Sequence, residues 1–423
     1  MTRYQEALSW LYGLESRGIK LGLDRMAKAA KIRGNPERGL CHVHVAGSNG
    51  KGSVTTMIEA VLRAAGYRTG QFTSPHLQRF VERVRIDGRP IREREAAERL
   101  EDLRADSRLP TLSFFEYTAL LAFEVFRDAE CDVVVLEVGL GGRLDATNIV
   151  TPAVSVITNV SLEHQRILGD TLSKIAREKA GVLKAGVPCV VGARNSTVRR
   201  TLGRRANAVG APLRYIGRDF DAHWDDGTLS ARVGDRHWSR LQLGLRGRYQ
   251  GDNAACALAA IEELSDRGFE ISEASVRRGL RRAKWPGRLE WHPGRPAFLF
   301  DAAHNAAGCR TLARYLEELV FPGRVVLLFG AMKDKDHRGM LRAFDDEVNR
   351  VVFTAPTVRR AESPDRFSQI TKGTVARSVR DGLARATRAA GPDGLVVVAG
   401  SIFLVAEARG LVKGARTDPP IAM

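Results

Sequence analysis

The five cysteines of the chain, Cys41, Cys131, Cys189, Cys256 and Cys309, are few and stand more than 50 residues apart. No C-x-x-C pair and no metal-ligand spacing joins them. A disulfide scaffold and a zinc module are therefore excluded, and the thiols read as reduced, small buried hydrophobes. No apolar run reaches the roughly 20 residues that a transmembrane helix needs. The longest, Asp132–Leu140 and Leu395–Ala406, are interrupted by Glu, Gly or Ser. The N-terminal stretch MTRYQEALSWLYGLESRGIK carries charges throughout and lacks a signal-peptide core, so a cytoplasmic protein is expected. No internal repeat or low-complexity tract appears, which excludes a repeat architecture. Acidic residues are in the minority, with 49 Asp and Glu against 66 Lys and Arg, a formal charge of +17 and a pI of about 10.1. That balance suits nucleic acid or small anionic substrates. Aromatics are only 7% of the chain. They are sparse in the two basic clusters, Arg194–Arg205 and Arg277–Arg288, so a base-stacking platform is not evident. The first cluster reads as a solvated face.

What the chain does have is length and alternation. Its 423 residues allow two or three domains, and 44% hydrophobic residues supply ordinary cores. Short β-branched runs alternate with helical spacing, the pattern of α/β proteins with parallel sheets. Strands are expected at His42–Val45, Tyr67–Thr73, Asp132–Val138, Ala153–Thr158 and Pro188–Val191. Helices are expected at Ser53–Ala65, Phe114–Ala129, Leu172–Leu183 and Asp252–Asp266. The near-continuous apolar run Asp132–Val138 fits a strand buried on both faces. Residues 213–245 alternate like an antiparallel excursion. Pro and Gly concentrate at Lys284–Pro296 and periodicity breaks there, which divides the chain into domains at 1–286 and 287–423. In the second domain, strands are expected at Ala297–Phe300, Val325–Phe329, Arg350–Phe353 and Leu395–Val398.

The stretch HVHVAGSNGKGSVTTMIEAVL, residues 42–62, runs from a strand through a Gly-rich turn into a helix. Backbone N–H groups of such a turn and the helix N-terminus make an anion site. Lys51 has the reach for β/γ-phosphate oxygens, and Ser53 stands where a hydroxyl can ligate Mg²⁺. The spacing G-S-N-G-K-G-S departs from the common phosphate loop, so it is either a variant or a decoy.

Other residues carry two readings each. Glu137, beside Gly139, Gly141 and Gly142, lies at the carboxyl end of an apolar run. A carboxylate there is costly unless paired or metal-bound, which makes it an ion-pair partner or a metal ligand. His164 follows the next strand and is structural or a ligand. Lys179, in REKAGVL, reads unaided as a helix-surface lysine. Asn253 is an N-cap or a ligand contact. Arg288 is a surface residue or a bidentate phosphate clamp. Asp301 and His304 follow the first strand of the second domain. Ser74 and His76 (TSPHL) and Asp145 (GRLDATN) follow strand ends. Phe115 is helix core or a stacking wall, and Arg360, with Arg359, lies on a loop of the smaller domain.

The loop G-S-N-G-K-G-S resembles that of the Mur-ligase superfamily, in particular of folylpolyglutamate synthase/dihydrofolate synthase. The likeness spans nearly the whole chain. GIKLGLDRM (18–26), TSPHL (73–77), LEVGLGGRLDATN (136–148), REKAGVLKAGVP (177–188), WPGRLE (285–290), DAAHN (301–305) and FGAMKDKD (329–336) occur in that family's order. The resemblance implies a Mur-ligase-like P-loop ATPase domain with a mainly parallel sheet, plus a smaller C-terminal Rossmann-like α/β domain. It implies ATP and Mg²⁺, two ions, with Ser53, Glu137 and His164 as ligands. It also implies that Lys179 is carbamylated by CO₂, since an ammonium has no lone pair to offer a metal. Nucleotide would lie on Gly47, Asn49, Gly50, Lys51, Gly52, Ser53, Asn253, Arg288, Asp301 and His304, the last two closing over it from the opposite side. Lys51, His164 and Lys179 form the implied catalytic set. Ser74, His76, Phe115 and Asp145 would line the acceptor cleft, and Arg360 would meet the incoming glutamate. The implied reaction joins L-glutamate to dihydropteroate and to the γ-carboxyl of reduced folates through an acyl phosphate, with domain closure excluding water. No nucleic acid or membrane partner is implied, and a monomer is. A one-activity relative, adding glutamate to folates only, and a Mur-type ligase for another carboxylate are the alternatives. A peptidoglycan-type ligase is disfavoured by the roughly 40 residues that precede the loop. Two positions depart from the family pattern: Glu163 where Asp is usual, and Ala302 where Gly is usual.

Overall fold

The computed structural model describes residues 1–14 and 22–419; the first four residues of the 18–26 motif lie outside the described residues. The chain forms two compact units. One comprises Met1–His76, Val81–Leu245 and Tyr249–Lys284, and the other Leu77–Phe80, Arg246–Arg248 and Trp285–Met423.

The first unit is built on eight strands. They are β1 (Cys41–Ala46), β2 (Thr69–Phe72), β3 (Val84–Ile86), β4 (Arg89–Pro90), β5 (Val133–Glu137), β6 (Val154–Ile157), β7 (Cys189–Val191) and β8 (Leu213–Tyr215), in the order β4-β3-β2-β5-β1-β6-β7-β8. All neighbours are parallel except at the β2–β3–β4 edge. β1 lies in the middle, paired with β5 and β6, and Val45 stands opposite Glu137. This register explains the apolar sequences: β5 is buried at every position, as a central parallel strand covered on both faces must be. Covering one face, the helix Lys51–Ala64 packs against the helices Gln250–Ser265 and Glu273–Arg282. Gly279 permits the last contact, because a Cβ there would fall 2.4 Å from Val61 Cα.

Three strands, β9 (Phe220–Asp225), β10 (Thr228–Val233) and β11 (Arg236–Leu241), form a separate antiparallel sheet. The antiparallel excursion is therefore shorter than residues 213–245, since β8 adds parallel to the main sheet. The helix expected to Leu183 ends at Lys179 and tightens into a 3₁₀ turn over Ala180–Val182. The basic stretch 194–205 is mostly a helix, Ser196–Val209, capped by Asn195.

One ion-pair hub ties three helices together. Arg33 ends the helix Asp24–Ile32 and bonds Glu124 (2.6 Å), Asp106 (3.1 Å) and Asp102. Burial works against its charge, but the hydrogen bonds it donates to these carboxylates win and raise its pKa. The Glu124 side chain is only 3% exposed. Arg33→Ala is expected to leave that carboxylate buried without its partner and to lower unfolding stability by about 3 kcal/mol. The measurement is urea denaturation of both proteins, and an unchanged midpoint would refute the hub.

The second unit has β12 (Glu290–His292), β13 (Ala297–Phe300), β14 (Val325–Phe329), β15 (Arg350–Phe353), β16 (Thr374–Val375) and β17 (Leu395–Ala399), ordered β12-β13-β17-β14-β15-β16. All pairs are parallel except β12–β13. β12 lies within the Pro/Gly-rich stretch 284–296, where no strand is expected from the sequence. A core of Phe300, Val326, Leu328, Val396, Val398 and Leu404 underlies the sheet. Both units are thus α/β. Among the described residues no helix is long and apolar enough to cross a membrane.

Candidate functional site

The loop after β1 is shaped by two glycines. Gly47 (φ 148°) and Gly50 (φ 85°) occupy backbone conformations that L side chains resist. A Cβ on Gly47 would fall 1.9 Å from Thr158 Oγ1, and one on Gly50 would fall 2.4 Å from Asn253 Oδ1. The segment after β6 holds the loop from outside. Ser48 N donates to Asn159 O (2.9 Å), Asn49 N to Asn159 Oδ1 (2.9 Å), and Thr158 Oγ1 to Asn49 O (2.7 Å). Gly50 then opens the helix Lys51–Ala64, leaving the N–H groups of Lys51, Gly52 and Ser53 in its first turn. Asn253 is no N-cap: its helix starts at Gln250. Its Nδ2 donates to Gln250 Oε1 (2.8 Å), and Gln250 Nε2 donates to Ser53 Oγ (3.4 Å). Asn253 therefore does belong to the loop's surroundings.

Two lysines meet at one carbonyl. Lys51 Nζ donates to Gly47 O at 3.0 Å and to Ser48 O at 3.3 Å. Lys179 Nζ donates to the same Gly47 O at 2.8 Å and to Glu163 Oε1 at 2.7 Å. The surface reading of Lys179 fails, because its side chain is 1% exposed. Burial lowers its pKa to about 8, helped by the charge of Lys51 and only partly resisted by Glu163. Glu163 goes the other way from its burial penalty. The charges of Lys51 and Lys179 and hydrogen bonds from Lys179 and Ser48 bring it down to about 2. Lys179 is held in place by its backbone. Gly142 and Gly181 allow the 139–143 loop to lie against residues 178–181, where a Cβ on Gly181 would fall 2.2 Å from Arg143 Cα. Arg143 N donates to Glu178 O (2.9 Å) and its guanidinium pairs with Glu178 (3.0 Å).

Glu137 is buried at the end of β5, and its Oε2 accepts from Ser74 N at 3.1 Å. Ser74 is thereby joined to Glu137 through its backbone. His164 is exposed, with a left-handed backbone (φ 44°) unusual for a non-glycine residue. His76 Nδ1 accepts from Arg83 Nε at 2.9 Å. A guanidinium keeps its proton, so His76 carries its own on Nε2. Burial, with Arg83's charge, holds His76 neutral, well below the usual histidine range, although the residue as a whole is only half-buried. Phe115 lies within the capping box Ser113/Glu116 and stands over Gly139, where a Cβ would meet its ring at 2.4 Å. Asp145 points elsewhere. Its carboxylate accepts from Leu140 N (2.9 Å) and Thr147 N (3.0 Å), and from Thr147 Oγ1 (2.5 Å). Burial raises its pKa and these bonds resist. This geometry makes Asp145 a clamp on the Gly-rich loop, with its acceptors turned to protein donors.

In the second unit, Asp301 accepts from Leu289 N and Ala303 N, both at 2.9 Å. Burial raises its pKa against the pull of Arg288. His304 Nδ1 is 3.0 Å from Ala302 O. Ala302 lies outside the left-handed region, so its methyl adds no backbone strain. Arg360 pairs with Asp334 (3.1 Å) on the loops beyond β15 and β14. Residues that sequence reasoning missed are Thr158, Asn159, Gln250 and Arg83. Thr158 and Asn159 had a signal, small polar residues after a buried strand. The rest had none, because only the fold brings them to the loop.

Comparison with known proteins supplies the context for this geometry. The Mur ligase middle domain matches residues 45–261, and the Mur ligase, glutamate ligase domain matches residues 287–402. The chain is 31% identical to dihydrofolate synthase/folylpolyglutamate synthase of Bacillus subtilis, covering 97% of this chain and 100% of that protein. It is 37% identical to a probable bifunctional folylpolyglutamate synthase/dihydropteroate synthase of Haloferax volcanii over 96% of this chain, and spans 50% of that protein's length. A bifunctional folylpolyglutamate synthase/dihydrofolate synthase solved with Mn, AMPPNP and L-glutamate bound superposes with a TM-score of 0.87 at 33% identity, over 96% of this chain and 98% of that one.

Proposed function

The chain belongs to the Mur ligase family, in its dihydrofolate synthase/folylpolyglutamate synthase branch, and from that premise we propose that it is an ATP-dependent ligase joining L-glutamate to dihydropteroate and to the γ-carboxyl of reduced folates. The observation that carries this reading is the phosphate loop itself, with Lys51 and Lys179 converging on Gly47 O at 3.0 and 2.8 Å. The relative solved with Mn, AMPPNP and L-glutamate supports it.

The residues fit a divalent metal of the Mg²⁺ kind. Among the described residues no three His, Cys, Asp or Glu side chains cluster as a cage. The buried Glu137 carboxylate and the Ser53 hydroxyl offer the few protein oxygens that Mg²⁺ takes alongside phosphate and water. Ser53, Glu137 and His164 would hold it, with Lys179 once carbamylated. Bound there, it would offset phosphate charge.

The acceptor's carboxylate oxygen attacks the γ-phosphorus of ATP. An O–P bond forms, the bond to the β-bridging oxygen breaks, and ADP leaves. Lys51 offsets charge on the transferring phosphoryl group, and the loop N–H groups hold its oxygens. The glutamate amine then attacks the acyl carbon, phosphate leaves with the electron pair, and the amine loses a proton to solvent. Phe115 would give the acceptor's ring a wall, and His76 would line the same cleft. Arg360, beside Asp334, is proposed to meet a glutamate carboxylate.

The test is phosphate release by the purified protein with Mg·ATP and L-glutamate, run with dihydropteroate and with tetrahydrofolate. Release with both is expected. Release with tetrahydrofolate alone would mean the one-activity enzyme, and release with neither would refute the proposal. The loop makes its own prediction. In Gly50→Ala the methyl meets Asn253 at a left-handed φ, and the loop must shift. An ångström-scale displacement costs about a hundredfold in turnover. Circular dichroism should be unchanged, and normal turnover would refute the loop's role.

A further inference from the structure

The second basic cluster of the sequence has a place in the fold that the ligase reaction does not use. β11 carries a bulge: Leu229 pairs with Leu241, but Ala231 pairs with Trp238. Arg240, in the bulge, has a left-handed backbone (φ 53°). Arg277 pins it from the neighbouring helix, donating to Ser239 O at 2.9 Å, and pairs with Glu273 on its own helix. Between bulge and helix lies a cleft of about 290 Å³ lined by Arg240, Arg277, Arg278, Arg281 and Arg282.

Arg277 is occupied in holding the bulge. The guanidinium groups of Arg240, Arg278, Arg281 and Arg282 have no hydrogen-bond or ion-pair partner among the described residues. In the first basic cluster, by contrast, Arg199 donates to Ala193 O, and Arg194 pairs with Asp221 and Asp252. Four permanent cations facing one cleft repel each other, and each presents a fork shaped for phosphoryl oxygens. A monoanion satisfies one fork. Four forks call for several doubly charged groups in a row. The lining has no aromatic residue, and its apolar member is Ala274. Base stacking therefore has no platform. The cleft is also away from the phosphate loop: Gly279 of this helix meets Val61, ten residues beyond Lys51 and roughly 15 Å along that helix.

We propose that this cleft binds an oligophosphate anion, a chain of two or more phosphoryl groups, at a site separate from the phosphate loop. The source is an inorganic chain or the phosphate tail of a nucleotide. To mask the loop, full-length Lys51→Ala protein is titrated calorimetrically with inorganic tripolyphosphate, with ATP and with a single-stranded oligonucleotide. The same titrations are run with Arg281→Ala and Arg282→Ala added. Tripolyphosphate should bind, and the added pair should weaken it at least tenfold, with lysine at both positions weakening it less. Equal, pair-dependent ATP binding would identify the nucleotide tail as the source, and tripolyphosphate binding alone the inorganic chain. Absence of binding, or binding indifferent to the pair, would overturn the proposal. Oligonucleotide binding tighter than tripolyphosphate and lost with the pair would overturn it in favour of a nucleic-acid surface. The two exposed substitutions, placed in the otherwise unaltered chain, should leave thermal melting and ligation unchanged.

Discussion

Lys51→Ala is expected to reduce ATP-dependent phosphate release by about 10³-fold or more without unfolding the protein. The ammonium sits over the loop, bonded to Gly47 O and Ser48 O, where the β- and γ-phosphates of a bound nucleotide would lie in this reading. Removing it takes away a charge whose value rises as the γ-phosphoryl group detaches, so kcat should fall more than KM for ATP rises. The loop itself should survive. Its shape rests on Ser48, Asn49 and Thr158 bonded to the segment after β6, none of which needs the lysine. The checks are steady-state phosphate release and circular dichroism on the same preparation. Activity within tenfold of the parent would remove Lys51 from the reaction.

The central strands and the loop were legible because local sequence dictates them. β5 can only be a doubly covered strand, and Gly47 and Gly50 sit where a side chain would collide. Elements with weak patterns were not legible. The helices Arg3–Gly13 and Glu93–Ala105 are short amphipathic pieces whose meaning comes from packing on each other. β8 looked antiparallel by alternation, but hydrogen bonding to β7 decided its direction. A strand's partner is a long-range property that periodicity of two does not encode.

At the site, the sequence marked positions better than roles. Asp145 was expected to line the acceptor cleft, yet its oxygens accept from Leu140 N, Thr147 N and Thr147 Oγ1. Only three-dimensional geometry separates a carboxylate facing ligand from one facing its own loop. Ala302 is the converse. It stands where glycine is usual, and its backbone lies outside the left-handed region that would have required one. Glu163, one methylene longer than the aspartate usual at its place, reaches Lys179 at 2.7 Å. The longer side chain therefore forms an ion pair that spacing along the sequence cannot foretell.

Lys179→Ala is expected to be nearly inactive, and to regain part of its activity with added formate or acetate. The reasoning starts from burial. An exposed lysine with a pKa near 10.5 is neutral in roughly three molecules per ten thousand at pH 7. At about 8, the value burial imposes on Lys179, about one in ten is neutral. Only the neutral amine attacks CO₂. Its nitrogen forms a bond to carbon, one C=O electron pair moves to oxygen, and a proton is released. The product is an anion where an ammonium stood. The sign of the stability effect is set by the same shift. The folded state binds fewer protons than the unfolded chain between pH 8 and 10.5, so this group's contribution to stability rises with pH across that window. The cationic form is thus the disfavoured one in the fold, and conversion to carbamate removes that cation. A free carboxylic acid diffusing into the space left by Lys179→Ala would replace the anion without its tether. Full activity of the variant without acid would refute the carbamate. So would failure of ¹³C-bicarbonate to give a carbamate resonance in the parent protein that Lys179→Ala lacks.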